Sequence, residues 1–214
     1  SGTLESQGVF GVAAPASAQG TVVAGFSSGE LNAYRYENGR TLWSDTLSSS
    51  TISTSVSSLA DIDAEPVIDQ GRVYAVGQGG RMAAVELASG QRLWEQNIAG
   101  ISTPWIAGEW LFVVTDDARL VCIARGSGKI RWISQLPAFR NVEDKKGPIT
   151  WVGPILAGNR LWLANSRGEL VSASPTDGSV GPAIEGKDAV SLTPVVAGGM
   201  LYVLSDKGEI TAYR

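Results

Sequence analysis

Histidine is absent from this 214-residue chain, and cysteine occurs once. The first absence removes the commonest general base, every histidine-bearing metal site and any Ser-His-Asp triad. The second excludes an intrachain disulfide, and Cys122, inside the apolar run "RLVCIAR", reads as a small buried hydrophobe. Charge is also scarce, at 18% of residues with a net charge of −4. No basic stripe is present, so a nucleic-acid partner, which clustered Lys and Arg would have to hold, is not expected. No apolar run approaches the ~20 residues that a membrane-spanning helix needs. The opening "SGTLESQG" has neither a basic n-region nor an apolar h-region, so a targeting signal is expected to lie outside this chain.

Glycine, by contrast, is plentiful: 26 residues, with nine prolines and no collagen period, point to many short elements joined by tight turns. Their placement is periodic. "ENGRTLW" ends at Trp43, "ASGQRLW" at Trp94 and "GSGKIRW" at Trp132, and in a degenerate fourth copy, "TDGSVGP", Pro182 stands in the Trp position. Each copy opens on an anchoring proline, Pro15, Pro66, Pro104, Pro154 or Pro194. A turn residue falls fourteen positions later, at Gly29, Gly80, Ala118, Gly168 and Gly208. Four copies place a second glycine ten positions further, at Gly39, Gly90, Gly128 and Gly178. A fixed period of this kind marks a repeat architecture.

Between these anchors lie runs such as "TVVAGF", "RVYAVG", "WLFVVT", "RLWLAN" and "MLYVLS", rich in β-branched and aromatic residues, each followed by a partner run. With the proline-led segment and the Trp segment they form four-stranded antiparallel meanders, and helical periodicity is absent. The expected fold is all-β, a β-propeller of four-stranded blades, with repeats at about 13–47, 64–98, 102–136, 152–187 and 192–214 in a single domain over 1–214. Trp43, Trp94 and Trp132, just past the tight turns at Gly39, Gly90 and Gly128, are expected to pack on the neighbouring blade. Where Pro182 replaces the Trp, the outer strand should be short or irregular, because proline cannot donate a ladder hydrogen bond.

Two joins between repeats outgrow the others: residues 48–63, "SSSTISTSVSSLADID", and residues 137–150, "PAFRNVEDKKGPIT". Loops longer than their scaffold requires are where binding residues collect. In the first, Asp61 and Asp63 lie two apart in an extended segment, which points both carboxylates to one face and turns Ile62 inward. With Glu65 they form an acidic trio. Calcium is disfavoured because the glycine and bidentate Glu of a calcium loop are missing and Pro66 ends the run. "VEDKK" in the second loop and "DDAR" at residues 116–119 read as solvated turns. Trp105, Trp110, Trp151 and Trp162 read as packing residues on strands, Trp151 being the one whose exposure would signal a binding role.

The unit from Ala84 to Trp94, "A-x-E-x-x-S-G-x-x-x-W", recurs as Ala33 to Trp43 and, with Cys122 for Ala, up to Trp132. It resembles the Trp-docking repeat of pyrroloquinoline-quinone-type propellers. Within that superfamily "SLADIDAEPVIDQGRVYAVGQGGRMAAVELASGQRLWEQ" and the closing "KGEITAYR" resemble the BamB family, lipoprotein scaffolds of the outer-membrane β-barrel assembly machine. The resemblance implies an eight-bladed, non-catalytic propeller of which this chain is the C-terminal part, four full blades and a three-stranded fifth. It also implies residence at the periplasmic face of the outer membrane through a lipid anchor outside this chain, and no cofactor or metal. The implied partners are the periplasmic POTRA domains of BamA and unfolded outer-membrane substrates. The implied contacts are the Asp61 and Asp63 pair with Leu59 and Ile62. A second segment falls at Val9 and Phe10, where this sequence lacks the family's Arg. A quinone-dependent dehydrogenase fragment and a generic peptide- or ligand-binding propeller remain as alternatives.

Overall fold

In the structure, a computed structural model that describes residues 13–47, 62–78 and 80–214, every apolar run becomes a strand of an antiparallel meander. The first sheet contains β1 (Ala16–Ala18), β2 (Thr21–Gly25), β3 (Glu30–Arg35) and β4 (Thr41–Thr46) in that order. The second contains β5 (Val67–Asp69), β6 (Arg72–Val76), β7 (Met82–Glu86) and β8 (Arg92–Gln96). The third contains β9 (Trp105–Ala107), β10 (Trp110–Val114), β11 (Arg119–Ala124) and β12 (Ile130–Gln135). A two-stranded hairpin follows, β13 (Phe139–Asn141) and β14 (Lys146–Pro148). The fourth sheet contains β15 (Trp151–Ala157), β16 (Arg160–Asn165), β17 (Glu169–Ala173) and β18 (Ile184–Glu185), and the fifth β19 (Val195–Ala197), β20 (Met200–Leu204) and β21 (Ile210–Tyr213). No helix occurs among the described residues.

The same turn chemistry builds each sheet. Between the third and fourth strands the chain closes through paired backbone hydrogen bonds. Gly39 N–H donates to Arg35 O and Arg35 N–H to Arg40 O, and Gly90 and Gly178 repeat the pattern. The glycine takes φ of 67–76° at positions 39, 90, 128 and 178, a left-handed conformation that a side chain resists. A β-bulge follows at one equivalent place in three sheets, between Ala33 and Tyr34, Ala84 and Val85, and Cys122 and Ile123. There the small residue lies directly opposite Trp43, Trp94 or Trp132.

The chain divides into two compact units, Ser1–Pro104 with Gly126–Gly128, and Trp105–Arg125 with Lys129–Arg214. In the first, Val23, Leu31, Leu47, Val73, Val85 and Leu87 form the core between the first two sheets. In the second, one core joins Phe112, Leu120, Cys122, Trp151 and Leu163, and another joins Val152, Leu170, Val190 and Val203. Trp151 is only 4% exposed and donates its indole N–H to Pro137 O at 2.8 Å, which makes it a packing residue. The long join at 137–150 is a hairpin with an exposed tip, where Asn141 and Asp144 bond each other. The fourth sheet's outer strand, β18, is two residues long and pairs only Glu169 with Glu185 and Leu170 with Ile184. Pro182, lacking an N–H, sits just before it.

Candidate functional site

Each Trp-bearing strand is tied to the glycine turn that comes next in the sequence. The Trp43 indole donates to Leu87 O at 2.7 Å, and a Cβ added to Gly90 would lie 2.6 Å from the Trp43 ring. Trp94 covers Gly128 in the same way, with 2.7 Å to an added Cβ, and Trp132 covers Gly178 at 2.6 Å while donating to Pro175 O at 3.3 Å. The glycine is therefore required twice, for its positive φ and for the ring above it. Over Gly39 no described atom lies that close. Trp43 is buried, and Trp94 and Trp132 are half-buried. Rings beneath them complete the packing, Tyr74 at 6.1 Å from Trp94 and Phe112 at 5.9 Å from Trp132.

Two residues past each Trp a polar side chain adds a latch. Asp45 takes a two-pronged ion pair from Arg92, at 2.5 and 3.1 Å. Gln96 donates to Gly128 O at 2.7 Å and Ser134 to Gly178 O at 2.6 Å. The Asp45 carboxylate and, behind it, Glu95 hold the Arg92 guanidinium charged, raising its pKa further.

Of the acidic loop, Ile62, Asp63 and Glu65 are described, whereas Leu59 and Asp61, like Val9 and Phe10, lie outside the described residues. Ile62 is 2% exposed and joins the first unit's core, its N–H donating to Phe26 O at 3.3 Å. An added Cβ on Gly25 would come within 2.5 Å of Ile62 Cγ2, so that glycine is what lets the loop seat against β2. Asp63 is half-buried, Ala64 is buried, and Glu65 is exposed with its N–H on Thr103 Oγ1 at 3.2 Å. The loop is thus clamped at 62 and 65, and Asp63 is held between.

Among the described residues no group of three or more acidic or cysteine side chains is placed to hold a metal ion. Cys122 is fully buried, and burial pushes its thiol up to about 11, which leaves it un-ionised and inert.

One repeating position escaped the sequence reading. Four residues past each docking Trp stands a buried aliphatic side chain, Leu47, Ile98 or Leu136. Leu47 N–H donates to Gly29 O and Leu136 N–H to Ala118 O, both at 2.8 Å. In the fourth sheet the same backbone bond runs from Gly186 to Gly168 O at 2.9 Å, and the side chain is missing. A cavity of about 300 Å³ opens beside it, lined by Gly168, Gly186 and residues of β17, β18 and β21. The spacing from Pro182 could have revealed it.

A family model described as outer membrane protein assembly factor BamB matches residues 1–134. Among curated proteins, the BamB of Salmonella typhimurium is 24% identical over 213 residues, covering 98% of this chain and 51% of its own length. The chain spans about half the length of the curated relatives it matches. The crystal structure of BamB from Moraxella catarrhalis superposes with a TM-score of 0.84 at 19% identity, covering 99% of this chain and 61% of that one. This establishes the propeller fold. A quinohemoprotein alcohol dehydrogenase from Pseudomonas putida shares it more distantly, with a TM-score of 0.61 at 13% identity, covering 94% of this chain and 41% of that one.

Proposed function

Because this chain belongs to the BamB family of outer membrane protein assembly factors, we infer that it serves as a non-catalytic scaffold of the assembly machine at the periplasmic face of the outer membrane. In this reading a lipid anchor outside the chain holds it there. It binds the periplasmic POTRA domains of BamA through residues 59–63, with Val9 and Phe10 as a second contact, and assists insertion of outer-membrane proteins. The seating of Ile62 is the observation that carries the reading. With Ile62 sunk in the core and Glu65 tied to Thr103, the stretch 62–65 that carries Asp63 and Glu65 is already held in place before a partner arrives. Arg or Lys on a partner's strand edge can pair with the carboxylates, and strand addition would supply backbone hydrogen bonds. The absence of histidine from the sequence accords with a scaffold.

The test is a titration of the intact protein with the BamA POTRA repeats. Truncating one side of a desolvated charge contact commonly costs about 2–5 kcal/mol, so Asp61→Ala with Asp63→Ala should weaken binding by roughly two decades or more. Circular dichroism should be unchanged. An unaltered dissociation constant would return the loop to a solvated connection.

A further inference from the structure

The cavity beside Gly186 is a second candidate site, and none of the described residues 62–65 lines it. Its floor is apolar: Leu170, Val190 and Val203 are each at most 7% exposed. It opens beside Gly186, where the repeat's aliphatic side chain is absent and a Cβ would lie 2.5 Å from Gly168 O. About 300 Å³ lies at the lower end of the range for ligand pockets, roughly 300–1,000 Å³, and suits one long side chain.

The rim has the opposite character. Glu169 and Glu185, both lining the cavity, are directly opposed on β17 and β18. Like charges facing each other across a strand pair cost stability unless a cation sits between them. Glu169 is partly compensated by Arg167 at 3.4 Å and by Asn165 Nδ2 at 2.8 Å. Asp188 is paired with Lys207 at 2.5 Å. Glu185 is exposed and makes no ion pair among the described residues, Glu209 is exposed and feels the charge of Lys207, and Lys187 is the one cation in the lining. Once the paired charges cancel, the rim keeps an excess of negative charge facing hydroxyl acceptors on Ser205, Thr211 and Tyr213.

We propose that this cavity binds an arginine or lysine side chain presented by an extended polypeptide segment of a partner. The aliphatic stem lies on Leu170, Val190 and Val203, and the charged head sits among Glu169, Glu185 and Glu209. A leucine would fill the floor and leave the opposed carboxylates unrelieved. An acidic residue would add to their repulsion.

The experiment follows backbone amide chemical shifts of the isotopically labelled intact protein during titration at low salt. The probes are three end-capped tripeptides, Ala-Arg-Ala, Ala-Leu-Ala and Ala-Glu-Ala, and free arginine. The arginine peptide should shift Gly168, Gly186, Asp188 and Thr211 and bind at least fivefold more tightly than the leucine peptide or free arginine. Glu185→Gln with Glu209→Gln, both at exposed positions, should weaken it at least tenfold with the spectrum otherwise retained. Thr211→Phe, which narrows the cavity from an exposed strand position, should abolish the shifts. Equal binding of the leucine peptide would make the site an apolar plug socket and overturn the assignment of a cation. Equal binding of free arginine would overturn the polypeptide. An absence of shifts at the cavity, or affinity unmoved by the glutamine pair, would overturn the site itself.

Discussion

At the scale of single residues, the pairing of Trp94 with Gly128 shows how one ring supports two chemical requirements. Truncating Trp94 removes the cover over a backbone turn and leaves Tyr74 without its ring partner. Large aromatic-to-alanine changes in packed sites cost about 3–5 kcal/mol, and Trp94, being half-buried, should fall toward the lower end. Gly128→Ala attacks the same contact from the other side. With φ at 71° and the ring 2.7 Å from the new Cβ, it should cost more than the ~1 kcal/mol range of permissive glycine changes. Urea unfolding of both variants measures this, and unchanged midpoints would remove the Trp from the packing. Asp177 orders the adjoining turn. Its carboxylate accepts from Ser179 N–H at 3.0 Å and from the Ser179 hydroxyl at 2.9 Å, and the backbone bond first, then the Ser174 and Ser179 hydroxyls, hold its pKa down to about 2. The folded pKa lies below the ~3.9 of a free aspartate, so its contribution is complete above about pH 4 and is lost as pH falls through about 2. The carboxyl carbon shift of Asp177 should titrate near 2, and Trp132 fluorescence, reporting on Gly178 next door, should move in the same window. A midpoint near 4 would mean that the turn is not held by these bonds.

At the scale of elements, what distinguishes the fourth sheet is the shortening of its outer strand. β8 keeps four registered partners on β7, whereas β18 keeps two on β17, with one isolated bridge from Ala173 to Val180 behind them. Pro182 interrupts donation between these points, and neither a docking Trp nor an aliphatic plug follows. Amide hydrogens of residues 180–185 should therefore exchange faster than those of β8, by mass spectrometry or NMR. Slower exchange there would contradict a weakened strand. The same short strand borders the cavity through Glu185. The long join at 137–150 is the contrary case: it forms the pair of three-residue strands β13 and β14, because Phe139 opposite Pro148 and Asn141 opposite Lys146 close a register below a charged tip that stays an exposed turn.

At the scale of the whole molecule, a single architecture serves an assembly factor and, more distantly, a dehydrogenase, so the fold leaves the activity open. What separates the two readings is local chemistry. The chain has no histidine and one buried thiol, and no metal-binding cluster occurs among its described residues. The two compact units each keep their own core, so damage to one Trp dock should be felt first within its own unit.

The repeat, the all-β class and the strand order were legible in the sequence because they depend on short-range rules. Alternation selects strands, positive φ selects glycine at the turns, and a proline without an N–H weakens β18 wherever the sheet lies. The Trp-to-glycine contact was only half legible. Spacing marked both residues, but that Trp43 covers Gly90 rather than its own Gly39 depends on how successive sheets stack. Gly25 beneath Ile62 and the void beside Gly186 could be found only in three dimensions. In both, the decisive quantity is the distance between backbone segments far apart in sequence, and that distance is set by packing after the strands have formed.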